Sequence, residues 1–161
     1  MPDVVGCLGC DIVAGRFAVP GGVLRRTARW IVNHAVGQLN LGTLIVAPRD
    51  HIVAVADLDD LAAAELGPLL RDTARIAEAI CQPEQTYVCV WSHGRAERRH
   101  LHILVQPITT AVVTQYGGLR SEQLQARMLK TAPPLDAAAV EPFCAAARRL
   151  FDALGPGFFR T

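Results

Sequence analysis

Lysine is almost absent from this chain. Lys130 is the only one, and every other basic residue is arginine. Arginine suits planar, two-pronged phosphate recognition, although a biased genome composition gives the same skew and is the simpler explanation. An excess of charge of one sign is also missing. Sixteen basic residues face fifteen acidic ones for a net charge of +1, which excludes a global pull toward nucleic acid or a membrane surface. Any anion site must be local. No run approaches the roughly 18 apolar residues of a membrane span. "MPDVVGCLGC" carries neither the basic start nor the apolar stretch of a secretory leader, so a cytoplasmic protein is expected. Its five cysteines are then expected as thiols, and the odd number argues against a full disulfide set. No internal repeat or low-complexity linker interrupts the chain, and 161 residues, half of them hydrophobic, are expected to form one domain over 1–161.

The local patterns point to an α+β fold. "RFAVPGGVLRRTARWIVNHAV" reads as two strands with a turn near Thr27, and "TLIVAP" (Thr43 to Pro48) as a short buried strand closed by proline. "DLDDLAAAELGPLLRDTARIAEAI" is the clearest helix. It has an Asp-rich start, apolar positions at Leu61, Ala64, Leu69, Ala74 and Ile76, and a Gly67-Pro68 pair expected to kink it or split off its first turn. "QTYVCVWS" (Gln85 to Ser92) and "HLHILVQP" (from His100) follow as strands. "GGLRSEQLQARMLK" and the segment from about Asp136 to Leu154 follow as helices, the second stopped by Gly155-Pro156. Cys81, Cys89 and Cys144 lie in apolar surroundings and read as core. The order predicts an antiparallel sheet with one long helix packed on it and helices at the C-terminal end.

Two of the five histidines stand one residue apart in "RRHLHILVQP". On a strand, His100, His102, Leu104 and Gln106 share one face, and Leu101, Ile103 and Val105 share the other, uniformly apolar one. The imidazoles then stand on the face a ligand can reach, where they bind a metal, do chemistry or simply pack. Cys7 and Cys10 form a C-x-x-C pair. A redox pair usually follows a strand, and none is expected here. Zinc takes thiolates and imidazoles in a tetrahedron, so Cys7, Cys10, His51 and His100 make a chemically reasonable Cys2His2 site between the N-terminal segment and two strand ends. The spacing matches no zinc-finger pattern.

Together, "CLGCDIVAGRF", "GTLIVAPRDHI" and "HLHILVQP" resemble the histidine-triad superfamily of nucleotide hydrolases and transferases, in order and spacing, from about Cys7 to Pro107. Residues 1–107 would then be the motif-bearing core and 108–161 a C-terminal helical extension. The resemblance implies a structural Zn²⁺ on Cys7, Cys10, His51 and His100. It makes His102 the nucleophile, attacking the α-phosphorus of an adenosine nucleotide or dinucleoside polyphosphate to form a nucleotidyl-histidine. The other ring nitrogen must donate its proton, to a backbone carbonyl of the same strand in the family, so that the attacking lone pair points at phosphorus. The resemblance also implies a homodimer, with no membrane or nucleic-acid partner expected.

Departures from the pattern are specific. The third histidine of the triad is Leu104, with Gln106, two residues on, as a partial substitute. Thr43 stands where the family has a histidine before T-L. The ribose-binding acid falls at Ala35, leaving Asn33 and His34 as the nearby polar candidates. The phosphate loop is "SHGRAERR", in which Ser92, His93, Arg95 and Arg99 are candidate phosphate contacts. These departures keep a second reading open, a zinc-stabilised nucleotide-binding module with little catalysis. A hydrolase using zinc-bound water fits less well, because four protein ligands close the metal site.

Overall fold

The computed structural model describes residues 4–37, 39–90, 99–117 and 124–155. Its centre is a five-stranded sheet in the order β1-β2-β3-β5-β4, with every neighbouring pair antiparallel. The strands are β1 (Val23–Arg26), β2 (Trp30–His34), β3 (Leu44–Pro48), β4 (Gln85–Val90) and β5 (Ile103–Ile108). The helices are α1 (Leu8–Val13), α2 (Asp60–Cys81), α3 (Thr110–Tyr116), α4 (Leu124–Thr131) and α5 (Ala137–Ala153). The α+β architecture read from the sequence is the one observed. Among the described residues, no helix is long and apolar enough to cross a membrane.

Helix α2 begins where the sequence placed an acidic start. Asp59 caps it by accepting from the Ala62 N–H at 2.7 Å, and Arg29 pairs with the same carboxylate at 2.9 Å. It runs unbroken across Gly67-Pro68 to Cys81, contrary to the expected split. Proline forfeits one backbone hydrogen bond, and the stripe Ala62, Leu69, Ile76 and Ala77, buried along its length, holds both halves to the sheet. That stripe is rotated from the one read in the sequence, for Leu61 is exposed. Its place is taken by Ala62, whose carbonyl accepts from the Trp30 indole at 2.9 Å. Glu65, on the same buried side, accepts from the Thr27 hydroxyl (2.6 Å) and the Arg29 N–H (3.2 Å), tying α2 to the β1–β2 turn.

The two faces of the sheet are covered differently. Leu44, Val46, Ile103 and Val105 face α2 and α5 in the main core, with Trp30, Val32, Phe143 and Phe151. Leu104 and Ile108 turn the other way, into a smaller cluster with Val112 and Tyr116 of α3 and Leu124 and Met128 of α4. All six residues of β5 are therefore buried. This corrects the expectation that the Leu104 and Gln106 face is open to ligand. Cys144 is core as expected, whereas Cys81 and Cys89 are only partly buried; none of the five cysteines is in a disulfide.

Candidate functional site

The site sits at the end of the sheet where β3 stops and β5 has yet to start. Strand β5 begins at Ile103, three residues later than the alternation implied. The reason is local: the Leu101 N–H bonds to the Ile52 carbonyl at 2.7 Å, so residues 100–102 leave the β3 ladder and run beside the loop after Pro48. His100 and His102 therefore lie on the approach to the strand.

Four side chains converge there. The ligand atoms of Cys7, Cys10, His51 and His100 all lie within 4.8 Å of one another. The Cys7 and Cys10 sulfurs are 3.6 and 3.7 Å from His100 Nδ1, and Cys10 Sγ is 3.3 Å from His51 Nδ1. A tetrahedral zinc with ordinary Zn–S and Zn–N bonds places sulfur and nitrogen about 3.5 Å apart, so these separations fit a common ion. His100 Nε2 is 2.8 Å from the Pro48 carbonyl. As donor there, it leaves the Nδ1 lone pair aimed at the cluster, the usual outer support of a metal-bound imidazole. The chain's own residues thus fit zinc; the four would hold it as a closed, structural cross-link.

Gly9 makes this approach feasible, and its role was not read from the sequence. It lies in α1 against the ring of His100, and a Cβ built on it would fall 2.3 Å from His100 Cγ. The C-x-G-C spelling was the available signal. Gly9→Ala is expected to push the ring off the cluster, lowering zinc content and stability by about 1–3 kcal/mol, as elemental analysis and thermal melts would show.

His102 is half-buried, with Nδ1 3.0 Å from the His100 carbonyl. A carbonyl only accepts, so Nδ1 carries the proton and, in the neutral ring, Nε2 carries the lone pair. This is the proton arrangement that the resemblance implied for His102, and its acceptor is the main chain of a candidate zinc ligand.

The other sequence candidates divide. Asn33 is on the Leu104 side of the sheet, through its pairing with Ile45, but is buried and donates to the His34 carbonyl at 2.8 Å. Thr43 is fully buried and donates to Asn40 Oδ1 at 3.1 Å. Gln106, also fully buried, donates to Asn40 Oδ1 (2.8 Å) and accepts from Gln125 (3.1 Å). Neither Thr43 nor Gln106 faces an open site, which corrects both as phosphate contacts. Arg99 is half-buried next to His100. Ser92, His93 and Arg95 lie outside the described residues.

His34 is corrected outright. It faces α5, edge-on to Phe143, with Nδ1 2.9 Å from the Ala35 carbonyl and Nε2 accepting from the Gly42 N–H at 3.0 Å. Burial pushes its pKa below the ordinary 6.5, against the opposing effect of the Ala35 contact. The unfolded chain therefore binds a proton here that the folded chain refuses. Its contribution to stability is complete above pH 6.5 and is lost as pH falls below that value toward the folded pKa. Thermal melts from pH 7.5 to 5.5 are expected to fall more steeply for the natural protein than for His34→Gln.

No family profile matches the sequence, and no curated protein matches it. Solved structures do. A Hit-like protein involved in cell-cycle regulation from Bartonella henselae superposes with a TM-score of 0.69 at 12% identity, covering 90% of this chain and 96% of that one. A hypothetical histidine triad nucleotide-binding protein from Sulfolobus tokodaii gives 0.67 at 16% identity, covering 92% and 93%. A zinc-bound histidine triad family protein from Mycobacterium smegmatis gives 0.65 at 16%, covering 92% and 96%.

The fold is that of the histidine-triad proteins. At these identities the likeness speaks to the fold alone. In this fold the chain brings Cys7, Cys10, His51 and His100 into one cluster, and Leu104 is buried under α3 and α4.

Proposed function

We propose that the protein is a nucleotide hydrolase or nucleotidyltransferase that acts on the α-phosphate of an adenosine nucleotide, such as a dinucleoside polyphosphate, through His102. The observation that carries this reading is the Nδ1 contact of His102 with the His100 carbonyl, which points the Nε2 lone pair away from the main chain. In the first step Nε2 forms a bond to the α-phosphorus while the bond from phosphorus to the leaving oxygen or nitrogen breaks. The leaving group departs with that electron pair. In the second step water, or the oxygen of a phosphorylated acceptor, displaces the imidazole and restores its lone pair. His100 serves as a structural ligand whose main chain orients the nucleophile. Arg99, next to His100 in the sequence, is taken as a phosphate contact, with Ser92, His93 and Arg95 as further candidates.

The Sulfolobus relative is called nucleotide-binding, and another similar structure is the NitFhit protein of C. elegans. The first of these names supports a nucleotide as the substrate class. We keep a homodimer in the proposal: β4 is an edge strand whose Val88 and Val90 are exposed. One observation favours the second reading, a zinc-stabilised nucleotide-binding module: Leu104 cannot donate to a phosphate oxygen. Incubation with an adenosine phosphoramidate or a diadenosine polyphosphate, quenched and read by intact and peptide mass spectrometry, separates the two. An adenylyl adduct on His102 with release of AMP supports catalysis. Tight binding without adduct or turnover supports the module.

A further inference from the structure

The five cysteines differ in what they can react with. Cys81 ends α2, Cys89 lies in β4 and Cys144 in α5, so none of these three has another on its own element. Burial raises the thiol pKa of each, and Cys144, with Glu141 adding its charge, is pushed up to about 11. A protonated thiol is a poor nucleophile. Cys7 and Cys10 are placed otherwise. Cys7 caps α1 and Cys10 lies in its first turn. Three residues apart on a helix puts two Cα atoms about 5 Å apart, inside the range that a disulfide spans. Their sulfurs lie within 4.8 Å of each other, no disulfide joins them, and as zinc ligands both are thiolates. The sulfurs are buried, but the other two members of the cluster, His51 and His100, are only half-buried, so it reaches the surface through its imidazoles.

We propose that Cys7 and Cys10 are an oxidation site: hydrogen peroxide converts the pair to a disulfide and so dismantles the metal centre. One thiolate attacks a peroxide oxygen. The O–O bond breaks, a sulfenic acid forms, and the other oxygen leaves as hydroxide. The second thiolate attacks the sulfenic sulfur, the S–S bond forms, the S–O bond breaks, and a second hydroxide leaves. Two protons turn both hydroxides into water. The sulfurs give up two electrons, the peroxide takes them, and Zn²⁺ keeps its charge. Disulfide sulfur is not a thiolate, so the cluster is left with two neutral imidazoles, half of what a tetrahedral site needs. His100 keeps its Pro48 contact through Nε2, while its Nδ1 and that of His51 lose the ion. The spacing that suits one metal thus gives the two sulfurs an alternative partner in each other. No step involves the ring of His102, so the proposal stands apart from its role.

The test uses the natural protein, reduced and zinc-loaded, with hydrogen peroxide as the probe. Peptide mass spectrometry after thiol alkylation reads each cysteine, a chromogenic chelator reads released zinc, and diethyl pyrocarbonate reads free imidazoles. A Cys7–Cys10 disulfide is expected to form about ten-fold or more faster than Cys81, Cys89 or Cys144 is oxidised, because those three are mostly protonated thiols. Zinc is expected to leave in step with the disulfide, and His51 and His100 to become modifiable only then. Dithiothreitol with added zinc is expected to reverse all three changes. The proposal is overturned if Cys7 and Cys10 stay reduced while the other cysteines oxidise, or if the disulfide forms with zinc still bound. Failure of the metal reading shows beforehand, as reduced protein that takes up no zinc. Failure of the His102 reading shows separately, as reduced, zinc-loaded protein that forms no adenylyl adduct.

Discussion

His102→Ala is expected to yield a folded protein with unchanged zinc content and melting temperature that no longer turns over an adenylated substrate, a loss on the order of 10³-fold or more. The ring is half-buried and outside both apolar clusters, so its removal opens no core cavity. Its contact with the His100 carbonyl is to main chain, and that carbonyl keeps its position because His100 is held independently, by Pro48 through Nε2 and by the cysteine pair through Nδ1. The readouts are product release by chromatography, zinc by elemental analysis, and a thermal melt. A variant that loses zinc or melts early along with its activity would mean that the division of roles between His100 and His102 is wrong.

Cys10→Ala is expected to do the reverse. Cys10 Sγ is the sulfur in contact with both histidines of the cluster, 3.3 Å from His51 and 3.7 Å from His100. Without it the cluster retains three donors, and the segment carrying α1 loses its tie to the loop after β3. Metal binding contributes directly to folding free energy. The expected cost is about 4 kcal/mol or more, or roughly 10 °C of melting temperature in a chain of this size. A chelator should bring the natural protein down toward the variant and leave the variant unmoved. If both melt alike with and without chelator, the four residues do not hold a metal that supports the fold.

Much of this site was legible because its signals are local or chemically restrictive. C-x-x-C and two histidines near strand ends satisfy one ion's preferences, and the structure brings those four together. That a nucleophilic imidazole needs a main-chain acceptor could be stated in advance, and His102 has one in the His100 carbonyl. The strands and their antiparallel sheet followed from alternation and turns, but not their order in the sheet. Elsewhere local pattern was silent or misleading. The run "TTAVVTQ" is β-branched and reads poorly as helix, yet α3 forms there because Thr109 caps its start and Gly117, at φ 99°, ends it. His34 looked like a ligand because it is polar and near the expected ribose position; strand parity turns it to the opposite face. Gln106 shares the face of Leu104 as parity predicted, but nothing in its neighbourhood of the sequence announces that Gln125 and Met128 will close over it.

Strand β5 being sealed on both sides means that the leucine at position 104 and the helices above it act as one packed unit. Leu104→His would therefore not by itself create a third usable histidine beside His102. It would strand an imidazole among Leu124, Met128 and Ile108, dehydrated and without an acceptor, in a space shaped for a branched alkyl group.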